Sequence, residues 1–260
     1  MTSPDINLPI WLVAALWGLV GGSSLLIGAI IGYYLPLRQK FVAMIMAFGS
    51  GVLLSALCLE LMDKAFKRGG PIPVSCGFIF GSLTYSVANL FLERRVARER
   101  KYLKQSPIEK HKASSGTAIA IGALLDGIPE SIVIGLSMIY NLRVSLVTVI
   151  AIFISNFPEG LASAAAMKKN DRSAKYVFSI WIGLCFSSGI ASAMGYSIVG
   201  QYSASAISAV ISFAAGAMLA MLADTMIPEA FTNAKNWSAT FMTVGFLVSF
   251  LLSKLISEKV

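Results

Sequence analysis

The chain has 260 residues, of which 56% are hydrophobic and only 13% are charged, and its formal net charge is +8. A soluble domain carries about 25% charged residues, so this composition argues against a soluble enzyme or a nucleic-acid-binding domain. The lipid bilayer is the partner that such a composition favours.

Eight apolar stretches follow one another along the chain, each near the ~20 residues that a helix needs to cross a bilayer. We number them spans 1 to 8, at roughly residues 10–35, 41–62, 72–92, 116–140, 143–167, 175–199, 204–231 and 238–256. No intervening stretch is long enough for a separate soluble domain. We therefore predict an all-α integral membrane protein in which residues 1–260 form a single polytopic domain.

Basic residues are unevenly distributed among the connections between these spans. Most of the 21 Lys and Arg residues lie in the connections between spans 1–2, 3–4, 5–6 and 7–8. The largest group lies in residues 93–115, which we interpret as a basic cytoplasmic loop. The positive-inside rule then places both termini outside, and it fits an inner or plasma membrane of the cell.

Three of the nine prolines lie within apolar spans, and each is followed by glutamate: Pro129, Pro158 and Pro228. A proline inside a helix leaves the carbonyl four residues earlier without its usual partner. A carboxylate in a membrane helix is costly and commonly marks a functional site. The repeated Pro-Glu pair therefore indicates a polar site within the membrane.

Spans 4 and 5 supply five candidate ligands for that site. Asp126 and Glu130 share one helix face, Ser155 and Glu159 share another, and Asn156 lies beside the second face. If the spans pack face to face, three carboxylates converge, and they require a positive charge from outside the chain. A divalent metal cation is the simplest source of that charge, and protons are the second.

Further acids lie near the ends of spans 2 and 7. Glu60 and Asp63 approach the outside in the orientation above, whereas Asp224 and Glu229 approach the inside. They either line an ion route through the central site or are carboxylates at the membrane edge.

At these residues the chain resembles the ZIP family of divalent metal transporters, in particular its compact, prokaryotic-type, GufA-like branch. The resemblance includes FGSGVLLSALCLELMDKAF (48–66), the Pro-Glu motifs of spans 4 and 5, and MLADTMIPEAF (221–231). It implies eight transmembrane helices in a 3+2+3 bundle with both termini outside. It also implies transport of zinc, iron or manganese toward the cytosol through a mid-membrane site, with the metal as substrate and no resident cofactor. A homodimer is left open.

The chain departs from the family pattern at the site itself. Where the family pattern is similar to His-Asn-x-Pro-Glu-Gly, this chain has Asp126 and Gly127, and Ser155 occupies a position usually held by His or Gln. Carboxylate and hydroxyl ligands suit manganese better than imidazole does. We therefore expect a single-metal site with a weaker preference for Zn²⁺ and greater tolerance of Mn²⁺ or Fe²⁺, and Cd²⁺ is a further candidate.

Two alternatives stay open from the sequence. One is a metal-binding membrane sensor, or a ZIP relative that no longer transports. The other is an intramembrane aspartyl hydrolase using Asp126 and Asp224, which leaves the Pro-Glu pairs unexplained. We expect a transporter rather than an enzyme, and the chain has no P-loop motif for driving transport with ATP.

Overall fold

The computed structural model describes residues 8–103, 114–139, 144–199, 201–234 and 237–257, which form helices and connections without any strand. The α-helices are α1 (Ile10–Tyr34), α2 (Gln39–Ala56), α3 (Asp63–Gly69), α4 (Pro71–Leu103), α5 (Ser114–Ser137), α6 (Leu146–Lys169), α7 (Ala174–Val199), α8 (Ala204–Met221), α9 (Ile227–Ala234) and α10 (Ser238–Ser257). Two π-helical segments, π1 (Leu57–Met62) and π2 (Leu222–Met226), join α2 to α3 and α8 to α9.

Seven helical stretches of the described residues are long and apolar enough to cross a membrane. They correspond to predicted spans 1 to 3 and 5 to 8, and they give the protein the character of an integral membrane protein. Predicted span 4 is helical as α5, a 24-residue helix with Pro129 in its interior. Its passage through the membrane, and with it the count of eight spans, stays a prediction.

The region predicted as a loop between spans 3 and 4 is partly helical. α4 continues without interruption from Pro71 to Leu103, so the first part of residues 93–115 extends the third span as a charged helix. Glu, Arg and Lys are good helix formers, and no proline or glycine interrupts the helix after Gly81. Residues 104–113, including Pro107, lie outside the described residues.

The long helices pack in two groups. In the first group α1 contacts α6 and α7, and α7 contacts α5; in the second group α2 contacts α10, and α4 contacts α8. The groups meet where α2 lies against α6 and where α5 lies against α8. At the first of these contacts a Cβ on Gly49 would lie 3.2 Å from the Ile154 carbonyl oxygen, the oxygen that Pro158 leaves without its helical donor.

Glycines bring backbones together inside each group, as small residues do in membrane helix pairs. A Cβ on Gly28 or Gly32 of α1 would overlap the carbonyl oxygen of Phe157 or Leu161 of α6. In the second group the α2–α10 and α4–α8 pairs use the same arrangement of glycines. The five overlapping pairs there are Gly51 with the Met242 carbonyl, Gly245 with Phe48, Gly216 with Phe78, Gly81 with Phe213, and Gly77 with Ala209.

This similarity has a counterpart in the sequence. Residues 48–66 and 213–231 align without a gap at an offset of 165, and the π segments start at equivalent positions, Leu57 and Leu222. The identical pairs are Phe48/Phe213, Gly51/Gly216, Leu54/Leu219, Leu57/Leu222, Ala65/Ala230 and Phe66/Phe231. The two stretches are therefore a structural repeat. Pro228 follows π2, but its equivalent is Asp63, so proline is not required for the wide turn.

Candidate ion pathway

A cavity of about 280 Å³ lies between the two groups and carries two of the predicted acids. We call it the Glu159 cavity. Its lining residues are Met46, Gly122, Ala123, Glu159, Ala162, Ser163, Thr225, Met226 and Glu229. The two carboxylates come from α6 and α9, and the lining contains no Lys, Arg or His. Its electrostatic character therefore favours cations.

A second, smaller cavity of about 80 Å³ lies beside Glu60, and we call it the Glu60 cavity. Its lining residues are Glu60, Leu61, Lys64, Val133, Leu136, Ser137, Thr148 and Ile211. Here one carboxylate is accompanied by one lysine, so the charged side chains of the lining balance.

The two cavities are reached at different levels of the same two helices, α5 and α6. Along α6 the Glu60 cavity is reached at Thr148 and the Glu159 cavity at Glu159. Eleven residues of α-helix separate these positions, which is about 16 Å at 1.5 Å per residue. The order along α5 is reversed, with Ala123 in the Glu159 cavity and Leu136 in the Glu60 cavity.

The structural repeat relates several positions of the two linings. The offset of 165 matches Met46 with Ile211, Glu60 with Thr225, Leu61 with Met226, and Lys64 with Glu229. Matching the two Pro-Glu pairs of α5 and α6 also relates Val133 to Ala162. The cavities thus share five equivalent lining positions, and the charged differences among these are Glu60 against Thr225 and Lys64 against Glu229.

Predicted ligands lie between the cavities. Glu130 of α5 is 1% exposed, and Ser155 and Asn156 of α6 are 1% and 2% exposed. Along their helices Glu130 lies between Ala123 and Val133, and the α6 pair lies between Thr148 and Glu159. These three buried polar side chains, which we call the buried polar layer, therefore lie at helix levels between the two cavities.

Hydrogen bonds leave acceptor oxygens in this layer. The Ser155 hydroxyl donates to the Ile152 carbonyl at 3.0 Å, and the Asn156 Nδ2 donates to the Gly21 carbonyl at 3.5 Å. Donation uses the hydrogens of these groups and leaves the Ser155 Oγ lone pairs and the Asn156 Oδ1 as acceptors. Both side chains can therefore still offer oxygen to a cation.

The five predicted ligands are only partly brought together by what the structure describes. Asp126 lies in α5 one turn before Glu130, but its side chain is outside the described residues. Glu159 is partly exposed and faces its cavity, whereas Glu130 is buried. Among the side chains that are described, no three His, Cys, Asp or Glu residues form a metal-sized cluster. Convergence of three carboxylates stays a prediction.

Glu60 is the centre of a polar network that joins the two groups. It is 6% exposed, accepts a hydrogen bond from Ser253 of α10 at 2.7 Å, and pairs with Lys64 one turn later. Ser145, which caps α6, approaches the same carboxylate at 3.5 Å and accepts a hydrogen bond from Thr148 Oγ1 at 3.0 Å. Glu60 thus connects α10 and π1 with the start of α6.

The remaining acids of spans 2 and 7 lie outside the cavity linings. Asp63 is exposed and pairs with Lys67 at 2.6 Å. Asp224 lies on π2, is exposed, and contributes to the lining of neither cavity. The position of Asp224 gives no support to a hydrolytic pair with Asp126. Of the four acids predicted along a route, Glu60 and Glu229 line cavities.

Sequence reasoning missed several polar residues of this pathway, among them Lys64, Ser145, Thr225 and Ser253. The ungapped repeat of residues 48–66 in residues 213–231 is the signal that could have found Lys64 and Thr225, since both occupy positions equivalent to cavity acids. Ser145 and Ser253 approach Glu60 only through tertiary packing, and no local pattern marks them.

In comparisons with known proteins, the chain matches no protein-family model and no curated protein.

Proposed function

We propose that this protein is a ZIP-like secondary transporter that moves divalent metal cations toward the cytosol. In this proposal its eight transmembrane helices form a 3+2+3 bundle with both termini outside, in the cell's inner or plasma membrane. The cation is the substrate, and the protein acts without a resident cofactor. The resemblance of the Pro-Glu motifs and of residues 48–66 and 221–231 to that family supports the proposal.

One observation carries the transport function. Two cavities that share equivalent lining positions are reached at different levels of α5 and α6, and buried polar side chains lie at the levels between them. Repeats that surround a central site are the usual architecture of alternating-access transporters. The smaller Glu60 cavity corresponds to the closed side and the larger Glu159 cavity to the open side of one such state.

The chemistry of the layer fits a divalent cation. We assign Glu130, Glu159 and Asp126 as the charged ligands, assisted by the oxygens of Ser155 and Asn156. An all-oxygen set weakens the preference for Zn²⁺ that imidazole ligands give and increases the tolerance of Mn²⁺ or Fe²⁺. Protonation of the glutamates competes with metal binding and assists release.

Alternating access requires the two helix groups to move relative to each other. Within each group, glycines place one backbone directly against the next, so each group resists internal rearrangement. Between the groups, Glu60 is linked to α6 through the 3.5 Å contact with Ser145. Breaking that contact would release the start of α6 and widen the Glu60 cavity while the Glu159 cavity narrows.

The direct test is metal flux into proteoliposomes that contain a metal-sensitive dye. Wild-type protein would be compared with a Glu130→Ala, Glu159→Ala double variant for Zn²⁺, Mn²⁺, Fe²⁺ and Cd²⁺. We expect saturable flux that the double variant loses. Glu93→Gln is a matched control, since Glu93 is an exposed carboxylate at the end of the third span, away from both cavities.

Other outcomes separate the alternatives. Metal binding without flux by correctly folded wild-type protein would favour the sensor or the transport-inactive relative. A preference for Zn²⁺ over Mn²⁺ of about 100-fold would contradict the all-oxygen ligand set, because such a preference is typical of imidazole ligation. Flux that survives in the double variant would place the pathway elsewhere.

A further inference from the structure

We propose that Glu60 is a second cation-binding position and that Lys64 occupies it as a tethered counter-ion, so that an arriving metal must exchange with the lysine ammonium. Glu60 and Lys64 then act as an ion-exchange gate for the Glu60 cavity. This inference rests on the proposed transport function, and it assigns a binding site and a rate-controlling residue outside the central layer.

The carboxylate and the lysine differ in how far they are exposed. The Glu60 side chain is 7% exposed, whereas the Lys64 side chain is 50% exposed. The lysine can therefore leave the carboxylate and remain hydrated on its flexible stem, but Glu60 cannot reach water in the same way. An unpaired buried carboxylate is costly, so a departing ammonium must be replaced by another cation.

Oxygen ligands for that replacement surround the carboxylate. The Ser253 hydroxyl lies 2.7 Å and the Ser145 hydroxyl 3.5 Å from the Glu60 oxygens. The side chains of Ser137 and Thr148 line the same cavity, and Thr148 Oγ1 lies 3.0 Å from Ser145 Oγ. Carboxylate and hydroxyl oxygens suit hard divalent cations such as Mn²⁺. On binding, the metal would replace the Lys64 ammonium as the cationic partner of Glu60, among oxygen ligands that are already in place.

The structural repeat shows that lysine here is a departure from symmetry. The position equivalent to Lys64 in the Glu159 cavity is Glu229, which adds a negative charge to that lining. In the Glu60 cavity the same position supplies a positive charge that neutralises Glu60 and repels a free cation. Lys64 therefore lowers the affinity of this cavity for metal, whereas Glu229 raises that of the other.

A neighbouring ion pair provides a matched control. Lys67 pairs with Asp63 at 2.6 Å with the same spacing of four residues, but both side chains are exposed, at 74% and 48%, and neither lines a cavity. Neutralising Lys67 removes one positive charge from the same helix without opening a buried carboxylate. A general change in surface potential would appear equally in Lys64→Gln and Lys67→Gln.

The first experiment measures Mn²⁺ flux in proteoliposomes for wild type, Lys64→Gln, Lys67→Gln and Lys64→Arg. We expect Lys64→Gln to lower KM about fivefold, the scale of a partly exposed ion pair. The KM of Lys67→Gln and the KM of Lys64→Arg should both stay close to the wild-type value. Equal KM values for Lys64→Gln and Lys67→Gln in a transporting protein would overturn the gate and leave transport standing.

The second experiment measures binding without requiring transport. The loss of the free-Mn²⁺ electron paramagnetic resonance signal would be followed in a Glu130→Gln, Glu159→Gln background, or in Glu159→Gln alone if the double variant does not fold. We expect Lys64→Gln to bind Mn²⁺ about fivefold more tightly than Lys67→Gln. Adding Glu60→Gln should abolish that gain.

The binding result also decides the case in which wild type shows no flux. If Lys64→Gln raises the affinity for Mn²⁺ and this increase depends on Glu60, the exchange site is supported even though the proposed transport fails. Identical binding by the two lysine variants, or a gain that survives Glu60→Gln, would overturn the site.

Discussion

The Glu60 and Glu159 cavities share several equivalent lining positions of a repeat, yet they differ in size and in charge. One has a volume of about 80 Å³ and balances a carboxylate with Lys64, whereas the other has about 280 Å³ and two carboxylates, Glu159 and Glu229. Equivalent backbone positions of the repeat place one cavity beside π1 and the other beside π2. Individual side chains at matched positions set what each cavity attracts.

The largest expected effect comes from removing a carboxylate charge of the Glu159 cavity. Loss of outer-shell partners alone lowers metal affinity about 10–100-fold, so loss of a direct ligand in Glu159→Gln should reduce Mn²⁺ flux by at least that factor. Dye-loaded proteoliposomes provide the measurement. Flux within about twofold of wild type would remove Glu159 from the pathway.

Alanine substitutions at two matched glycines test whether both copies of the repeat contribute equally to stability. Gly51→Ala and Gly216→Ala each insert a Cβ into a facing carbonyl oxygen, of Met242 and of Phe78. Each should lower the free energy of unfolding by about 1–3 kcal/mol through overpacking. Thermal unfolding in detergent would measure this.

A control glycine separates overpacking from helix propensity. Gly183 has no atom within 4 Å of an added Cβ, so Gly183→Ala should leave stability unchanged or raise it by up to about 1 kcal/mol. A loss at Gly183 as large as at Gly51 and Gly216 would contradict the assigned contacts.

Thiol labelling would test whether the larger cavity is also more accessible to water than the smaller one. In a background with Cys58, Cys76 and Cys185 replaced, Ser163→Cys places a thiol in the Glu159 cavity and Ser137→Cys places one in the Glu60 cavity. We expect Ser163→Cys to react at least about tenfold faster with a charged methanethiosulfonate, because only the thiolate reacts and it needs access to water.

Equal labelling rates at the two positions would mean that the cavities are equally open in the membrane. Adding the reagent from each side of sealed vesicles would also test the orientation, since Ser163→Cys should react from the cytoplasmic side.

A further prediction concerns one hydrogen bond of Glu60. Ser253→Ala removes the 2.7 Å hydrogen bond to a buried carboxylate, which should lower the free energy of unfolding by about 1.5–3 kcal/mol in isolation. Lys64 and Ser145 remain as partners, so we expect the lower end of that range. Denaturation of Ser253→Ala beside Ser179→Ala, an exposed serine bonded within its own helix, would measure it.

The sequence predicted the helices well because apolar length is a local signal. Span 1 was placed at 10–35 and α1 runs Ile10–Tyr34. It also marked Glu130 and Glu159 through their prolines. The π segments were not predicted, since a wide turn depends on packing around the helix and not on a residue that specifies it.

The charged extension of α4 to Leu103 agrees with one option for residues 93–115, a charged helix that prolongs span 3 before Pro107. Basic residues determine the orientation of the connection and do not prevent helix formation. The hydrogen bond from Ser253 to Glu60 could not be predicted from the sequence, because 193 residues separate the two residues and no periodicity relates them.

The π segments also determine the phase of the helices that contain them. A π turn accommodates about one residue more than an α turn, and each residue of an α-helix advances the side chains by about 100°. The wide turn absorbs that extra residue, so converting Leu57–Met62 to α geometry at unchanged length would rotate the following side chains by about that angle relative to α2. Both copies of the repeat keep the extra residue, so the angular position of each cavity lining is encoded by chain length as well as by side-chain chemistry.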